Sequence, residues 1–367
     1  MSVDFISQSS VTASCRELAS GFDALYFSAE CAIHSSWFDY LQDAKTAAVE
    51  ADGSVGIEFG GEDFLIAPRG LSKYRFRVEC PFGIIGISPS VHLPTFYVQP
   101  YAEFIHRVGI ESAVAYFCRV IERVAVEPKW SASRVDLYVD VQGWIPDIDL
   151  RRDFQCRARK RTGYEMGDEF NGLQFGSRGS GTVFARIYDK TIESAKRENK
   201  YVVQTWNDLY VPGEPVIRVE FQVMRDALVD YKIHSLEDVF RLSPSLWVTL
   251  SSSWLTLREH SDDSNCSRWP VATEWKVVQA ASLGGHAIGL HRMKSDHRVA
   301  DLESIAPALM GYMASVGAIE GASSLTDALE YARGVIEKYE SRTGRSFMSR
   351  VAHKQGSRSF LIPEILR

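Results

Sequence analysis

The run Arg134-Val135-Asp136-Leu137-Tyr138-Val139-Asp140 (RVDLYVD) decides how this chain is read. Side chains alternate across a strand, so Arg134, Asp136, Tyr138 and Asp140 share one face while Val135, Leu137 and Val139 form the other. Two later runs repeat the arrangement. In FARIYDK (184–190), Arg186, Tyr188 and Lys190 lie opposite Ala185 and Ile187; in IRVEFQV (217–223), Arg218, Glu220 and Gln222 lie opposite Ile217, Val219 and Phe221. Three strands with ionisable groups against an apolar reverse predict a sheet with one face in a core and the other given to chemistry. A solvated surface sheet is the plainer alternative. Thr, Ser and Lys would solubilise such a surface as well, so Arg-x-Asp-x-Tyr-x-Asp favours the chemical reading.

Upstream, Tyr74, Phe76 and Val78 alternate with charged residues, and Pro81-Phe82-Gly83 turns the chain into Ile84–Ile87, which predicts an antiparallel hairpin. Helical spacing marks residues 1–50 (Leu18, Phe22, Leu25, Tyr26, then Trp37 and Leu41) and 101–125, the latter closed by Pro128. Two strands are expected over Gly172–Asp189 around Arg178-Gly179-Ser180-Gly181. Beyond Leu228 the pattern is mostly helical. Ser243-Pro244 starts one helix, Leu302–Val316 and Leu325–Tyr339 are amphipathic, and Ser324 is the N-cap of the last. The fold class is therefore α+β: a curved, mainly antiparallel sheet carrying the site, helices on its other face, and a helical C-terminal region. Four segments follow: an acidic helical stretch 1–53, a sheet domain 54–228, helices 229–341, and a basic, loose tail 342–367.

The composition suits an ordinary globular chain: 367 residues, 45% hydrophobic and 24% charged. The apolar runs are too short for a bilayer, the start lacks the basic and apolar parts of a secretory signal, and a bacterial cytoplasmic location is expected. Six scattered cysteines with no CxxC pair suit free thiols in a reducing compartment. A net charge of −6 argues against nucleic acid until its distribution is read. Residues 1–70 hold eleven acids against three bases; residues 151–200 hold twelve bases against seven acids. A basic stripe around Arg157, Arg159, Lys160 and Arg161 suits docking on DNA phosphates, and a solvated loop is the alternative.

The residue types on the polar face define the chemistry. Acids from two strands (Asp136, Asp140 and Glu220) could hold one hard divalent cation, which would polarise a phosphate. Arginines at 134, 178, 186 and 218 could clamp phosphate oxygens. A phenol at Tyr188 could attack phosphorus, with Tyr138 as its rival on the same face. Asp189 alternates to the other side and reads as structural. Phe96-Tyr97 and Trp269 read as core, and Tyr164 as a contact residue in the basic loop.

The run GLQFGSRGSGTVFARIYDKTIE (172–193), preceded by RVDLYVD and followed by RVEFQ, resembles the rolling-circle replication initiators of plasmids, some filamentous phages and some integrative elements. The stretch NCSRWPVATEW (265–275) resembles the helical region after the catalytic sheet in phage and proteobacterial members, and the likeness covers about residues 54–280. It implies metal-dependent nicking at a double-stranded origin, a 5′-phosphotyrosyl link, and a free 3′-OH that primes synthesis. The family's nucleophile maps to Tyr188, flanked by Arg186 and Lys190, and its acids to Asp136, Asp140 and Glu220. Mg²⁺ or Mn²⁺ is the implied cofactor. The implied partner is DNA, with a host helicase and a homodimer as further candidates. Where many members carry Tyr-x-Gly-Ser-Arg, this chain has Gln174-Phe175-Gly176-Ser177-Arg178. That removes a rival nucleophile and leaves the local DNA contact unassigned. No His-x-His pair exists, so the nickases that use one are a poor fit and the metal is expected on carboxylates. A relaxase of a mobile element, or a non-catalytic DNA-binding regulator of the same fold, are the alternatives.

Overall fold

The computed structural model describes residues 14–356 apart from 168, 179–181, 198–200, 282, 284–289, 291–301 and 345. The chain runs β1 (Arg16–Ile33), α1 (Ser35–Glu50), β2 (Val55–Phe59), β3 (Glu62–Ile66), β4 (Phe76–Cys80), β5 (Gly83–Ile87), β6 (Phe96–Pro100), α2 (Ala102–Val108), α3 (Ile110–Glu122) and β7 (Ala125–Gln142). It continues through β8 (Phe154–Cys156), β9 (Arg161–Met166), β10 (Glu169–Phe175), β11 (Val183–Asp189), α4 (Lys190–Arg197), β12 (Val216–Met224), α5 (Arg225–Asp230), α6 (Leu236–Thr249), β13 (Leu255–Leu257) and α7 (Thr273–Ala280). Helices α8 (Leu302–Glu320), α9 (Leu325–Thr343) and α10 (Phe347–Gly356) follow.

Eleven strands form one sheet in the order β2-β3-β4-β5-β6-β1-β7-β12-β11-β10-β9, and the neighbours pair antiparallel. The α+β class with a large antiparallel sheet is what the alternation predicts. Its apolar face carries Val135, Leu137 and Val139 of β7, Val219 and Phe221 of β12, and Ala185 and Ile187 of β11. These share one core with Phe117 and Val120 of α3, Trp247 of α6 and Trp275 of α7. Phe221 meets the Trp247 ring edge-on at 5.3 Å.

The main departure is β1. Residues 16–33, read as helical, form an 18-residue strand between β6 and β7, in the middle of the sheet. Only Ser35–Glu50 of the first segment is helix. Against β7 the strand shifts register at Glu17/Ala19, Phe22/Ala24, Tyr26/Phe27 and Glu30/Ala32. Each shift inserts or skips a residue, so apolar side chains recur every three or four positions and imitate a helix. The chain divides into two compact units, 1–293 and 294–367.

Smaller corrections have local causes. The helix expected over 101–125 is split at Gly109, whose φ of +82° is left-handed and favours glycine. Pro128 lies inside β7, at its register shift opposite Glu30 and Ala32, rather than closing that helix. Helix α6 starts at Leu236, where Ser235 and Asp238 form a capping box, so Ser243-Pro244 falls inside it. Tyr164 belongs to β9, not to a loop, and the tail includes α10. Ser324 caps α9 as expected, accepting from the Asp327 amide. The six cysteines are free. Among the described residues no helix is long and apolar enough to cross a membrane. Gly179, Ser180 and Gly181 of the expected turn lie outside the described residues.

Candidate active site

Strands β7, β12 and β11 bring the three polar runs side by side. Tyr138, Glu220 and Arg186 form one cross-strand row; Asp140, Arg218 and Tyr188 form the next; Asp136 sits opposite Gln222. Strand β1 adds Asp23, at the register shift between Phe22 and Ala24 opposite Asp136. Helix α2 adds His106, and Lys190 opens α4 rather than extending β11. On β7 the polar side chains are covered as fully as the apolar ones, since every residue from Val135 to Gln142 is buried. Buried charges need partners, and the partners found here sort the acids into kinds.

Asp140 is sealed. Its oxygens accept from Arg218 Nε at 2.7 Å and Arg218 Nη2 at 2.8 Å, and from Trp206 Nε1 at 2.8 Å. Both ionic partners have no exposed side-chain surface. Arg218 also donates to Asp23 at 2.5 Å and lies 3.9 Å from the centre of the Tyr138 ring. Asp136 and Glu220 are paired differently. Arg134 grips Asp136 with two donors, the Nε bond being 2.8 Å long. Arg186 donates to Glu220 at 2.5 Å, and the Tyr188 hydroxyl donates to the other Glu220 oxygen at 3.1 Å. Arg134 and Arg186 keep side-chain exposures of 16% and 27%. They line a cavity of about 220 Å³ together with Asp23, Asp136, Arg178 and Tyr188. Gly176, at φ +93°, allows the turn that carries Arg178: a Cβ there would stand 2.9 Å from the Val183 carbonyl. A larger hollow of about 670 Å³ crosses β2, β3 and β4 and contains none of this cluster.

Electrostatics follow the burial. Desolvation, reinforced by Glu220, holds the Tyr188 phenol well above its usual value, against the pull of Arg218 and Arg186. Burial likewise pushes Asp136 up to about 7, with Arg134 opposing and Glu220 adding to the rise. At Asp23 burial acts upward too, but Arg218 and His106 outweigh it and hold the carboxyl well below the carboxylate range. His106 Nε2 lies 3.3 Å from Asp23, and its Nδ1 lies 3.5 Å from the Tyr138 hydroxyl.

Several expected roles change. Asp136, Asp140 and Glu220 do not make one ligand set. Asp136 and Asp140 are four residues apart on a strand, about 13 Å at the rise of an extended chain, and the Asp140 oxygens are already taken. Among the described residues no group of three or more His, Cys, Asp or Glu is arranged to hold an ion, so the implied Mg²⁺ or Mn²⁺ does not fit this arrangement. Arg218, expected to contact DNA, is fully buried and spent on Asp140 and Asp23. Tyr138 is buried beneath Arg218 and does not line the cavity, which removes it as rival to Tyr188. Asp189 is structural as expected, accepting from the Ile192 amide at the start of α4. Arg157, Arg159 and Lys160, between β8 and β9, and Arg161, which opens β9, are exposed and do not line the cavity. Arg157 and Arg161 are anchored to the Ser253 and Arg151 carbonyls. Asp23 and His106 went unread because β1 looked helical and a single histidine carries no pattern.

No family model matches the sequence, and no curated protein matches it. Among solved structures, a rolling circle replication initiator protein from Geobacillus stearothermophilus is similar at 14% identity, with a TM-score of 0.43. The match covers 73% of this chain and 99% of that one.

Proposed function

We propose that this chain nicks and rejoins one DNA strand through Tyr188, as an initiator of rolling-circle replication acting in a bacterial cytoplasm. One observation carries the reading: a phenol hydrogen-bonded to a buried carboxylate, at a cavity lined by four arginines, Arg134, Arg178, Arg186 and Arg197. In the resting chain the phenol is neutral, because burial and Glu220 oppose its ionisation. A phosphodiester entering beside Arg134, Arg178 and Arg186 would bring its charge to their guanidinium groups, which suit phosphate geometry. As the Tyr188 oxygen bonds to phosphorus, its proton passes to the Glu220 oxygen that already accepts it. The bond from phosphorus to the 3′ oxygen breaks, and that oxygen leaves as a hydroxyl after taking a proton from solvent. The strand then ends in a 3′-OH, and Tyr188 carries the 5′-phosphate. Attack by a 3′-OH on that link reverses the step and joins strands.

The test uses 3′-labelled single-stranded oligonucleotides tiling the DNA around the chain's own coding sequence, with Mg²⁺ or Mn²⁺ present. Wild type should form a labelled covalent adduct. Tyr188→Phe keeps the ring and removes only the attacking oxygen, so it should lose the adduct while binding the same DNA. An adduct in Tyr188→Phe would reject Tyr188 as nucleophile and direct the search to Tyr26 and Tyr201, which share the cavity.

A further inference from the structure

The polar face of the sheet continues past β7 onto β1, β6 and β5, and a row of tyrosines follows it from the cavity. Tyr26 of β1 lines the cavity, and the Arg134 guanidinium lies 4.8 Å from its ring centre. Tyr97 of β6 meets Tyr26 edge-on at 6.2 Å. Tyr74, in the turn before β4, stacks on Tyr97 with ring centres 5.4 Å apart and planes 14° from parallel. Tyr97 was expected in the core with Phe96. Phe96 and Val98 do enter the core, but strand alternation turns Tyr97 to the other face, where it is half-buried, as are Tyr26 and Tyr74.

The backbone makes room for this row. A Cβ on Gly86 of β5 would stand 2.9 Å from Tyr74 Cγ, so the glycine clears the space in which that ring lies against the sheet. A Cβ on Gly70 would overlap the Tyr74 carbonyl, and Ser72 adopts a left-handed φ of +53° to close the same turn. Exposed Arg69 and Lys73 sit in that turn beside Tyr74, and Arg134 and Arg178 stand at the cavity end. Glu79, on the same face of β4, is held by Arg77 at 2.6 Å and by the Tyr101 hydroxyl. Rings in a row with cations at both ends are the arrangement that holds a single nucleic-acid strand: bases stack on the rings while the cations follow the phosphates.

We propose that Tyr26, Tyr97 and Tyr74 form a base-stacking platform for the single DNA strand on one side of the phosphate held in the cavity. The proposal rests on the nicking reading for the identity of the partner. Arg134, placed between the cavity and the Tyr26 ring, joins the phosphate wall to the platform. Every base has a stacking face, so the platform holds the strand whatever its sequence and keeps the phosphate against the arginines.

The experiment measures binding of a fluorescein-labelled oligothymidylate to the full-length protein by anisotropy. The second probe is the same sugar-phosphate chain without bases. Wild type should bind the oligothymidylate about 10-fold more tightly than the abasic chain. Tyr97→Leu and Tyr74→Leu should each lose most of that advantage while binding the abasic chain as wild type does. Tyr97→Phe and Tyr74→Phe keep the ring and should retain it. Gly86→Ala leaves all three rings in the chain but fills the seat of Tyr74, so it should behave like Tyr74→Leu. An oligothymidylate carrying 5-iodouracil should photocross-link to peptides that contain Tyr74 or Tyr97. Leu variants that keep the advantage overturn the proposal. So does equal affinity of wild type for the two probes, or cross-linking confined to other peptides, and neither of these results depends on a variant folding. The covalent-adduct assay reports separately. An adduct without any preference for bases would remove this inference alone, whereas base-dependent binding at these rings without an adduct would remove the nicking reading and leave the platform.

Discussion

Asp136 and Asp140 stand four residues apart on one face of one strand, and what surrounds them differs. At Asp140, Arg218 and the Trp206 indole fill the acceptor positions, and neither member of the ion pair is exposed. At Asp136, a partly exposed arginine covers the carboxylate, and a cavity opens beside it. Strand alternation gives both the same side; what packs over the strand decides the rest. Trp206, brought to Asp140 from the segment between α4 and β12, makes that end a fastening. The other end has no such cover, and the cavity opens there.

The largest expected effect breaks the fastening. Asp140→Asn leaves the buried Arg218 with a neutral neighbour, and losing one partner of a buried pair costs about 3–5 kcal/mol. The urea midpoint should fall accordingly. A variant as stable as wild type would show that Asp140 is spare, and the two ends of β7 would no longer differ.

Asp136→Asn should act with the other sign. Its folded-state pKa of about 7 lies above the ordinary value of 3.8, so ionisation is harder in the fold than in the unfolded chain. Such a group favours the fold fully below pH 4, and that contribution is lost as pH rises through 7. An amide has no proton to lose. At pH 8 the variant should therefore be more stable than wild type, and at pH 4 the two should converge. A variant less stable than wild type at pH 8 would mean that the Arg134 pair outweighs desolvation, and that Asp136 is a fastening as well.

The same contrast explains what could be read from the sequence. Strands β7, β11 and β12 were legible because their alternation is unbroken, and they bring Tyr188, Arg186, Glu220 and Asp136 together as expected. Strand β1 was not. Its four register shifts turn a period of two into a spacing close to that of a helix, and Asp23 was hidden with it. Asp140 was placed on the correct face and given the wrong task. Facing is a local property of the chain, whereas the partners of a buried carboxylate come from residues as distant as Trp206 and Arg218. Arg218 fails as a DNA contact for the same reason.

The smallest effects should come from cations that nothing encloses. Arg157, Arg159, Lys160 and Arg161 are exposed, unlike Arg218, so replacing all four with Gln should barely change stability. Their contribution should appear in DNA binding, through counterion release. Each lost phosphate contact lowers the slope of log K against log salt by about 0.7 on single strands, so the four-fold variant should flatten it by about 3 units. Phosphate contacts position rather than specify, so the loss should be similar across DNA sequences. The control is a second variant with Gln at Arg333, Lys338, Arg342 and Arg350, also exposed, on α9 and α10. Both variants change the net charge by the same four units, so any long-range effect of overall charge is common to both. A larger flattening from the 157–161 set assigns the basic run to the DNA path. Equal flattening would reduce it to a solvated loop, and the cavity arginines would then be the DNA contacts that remain.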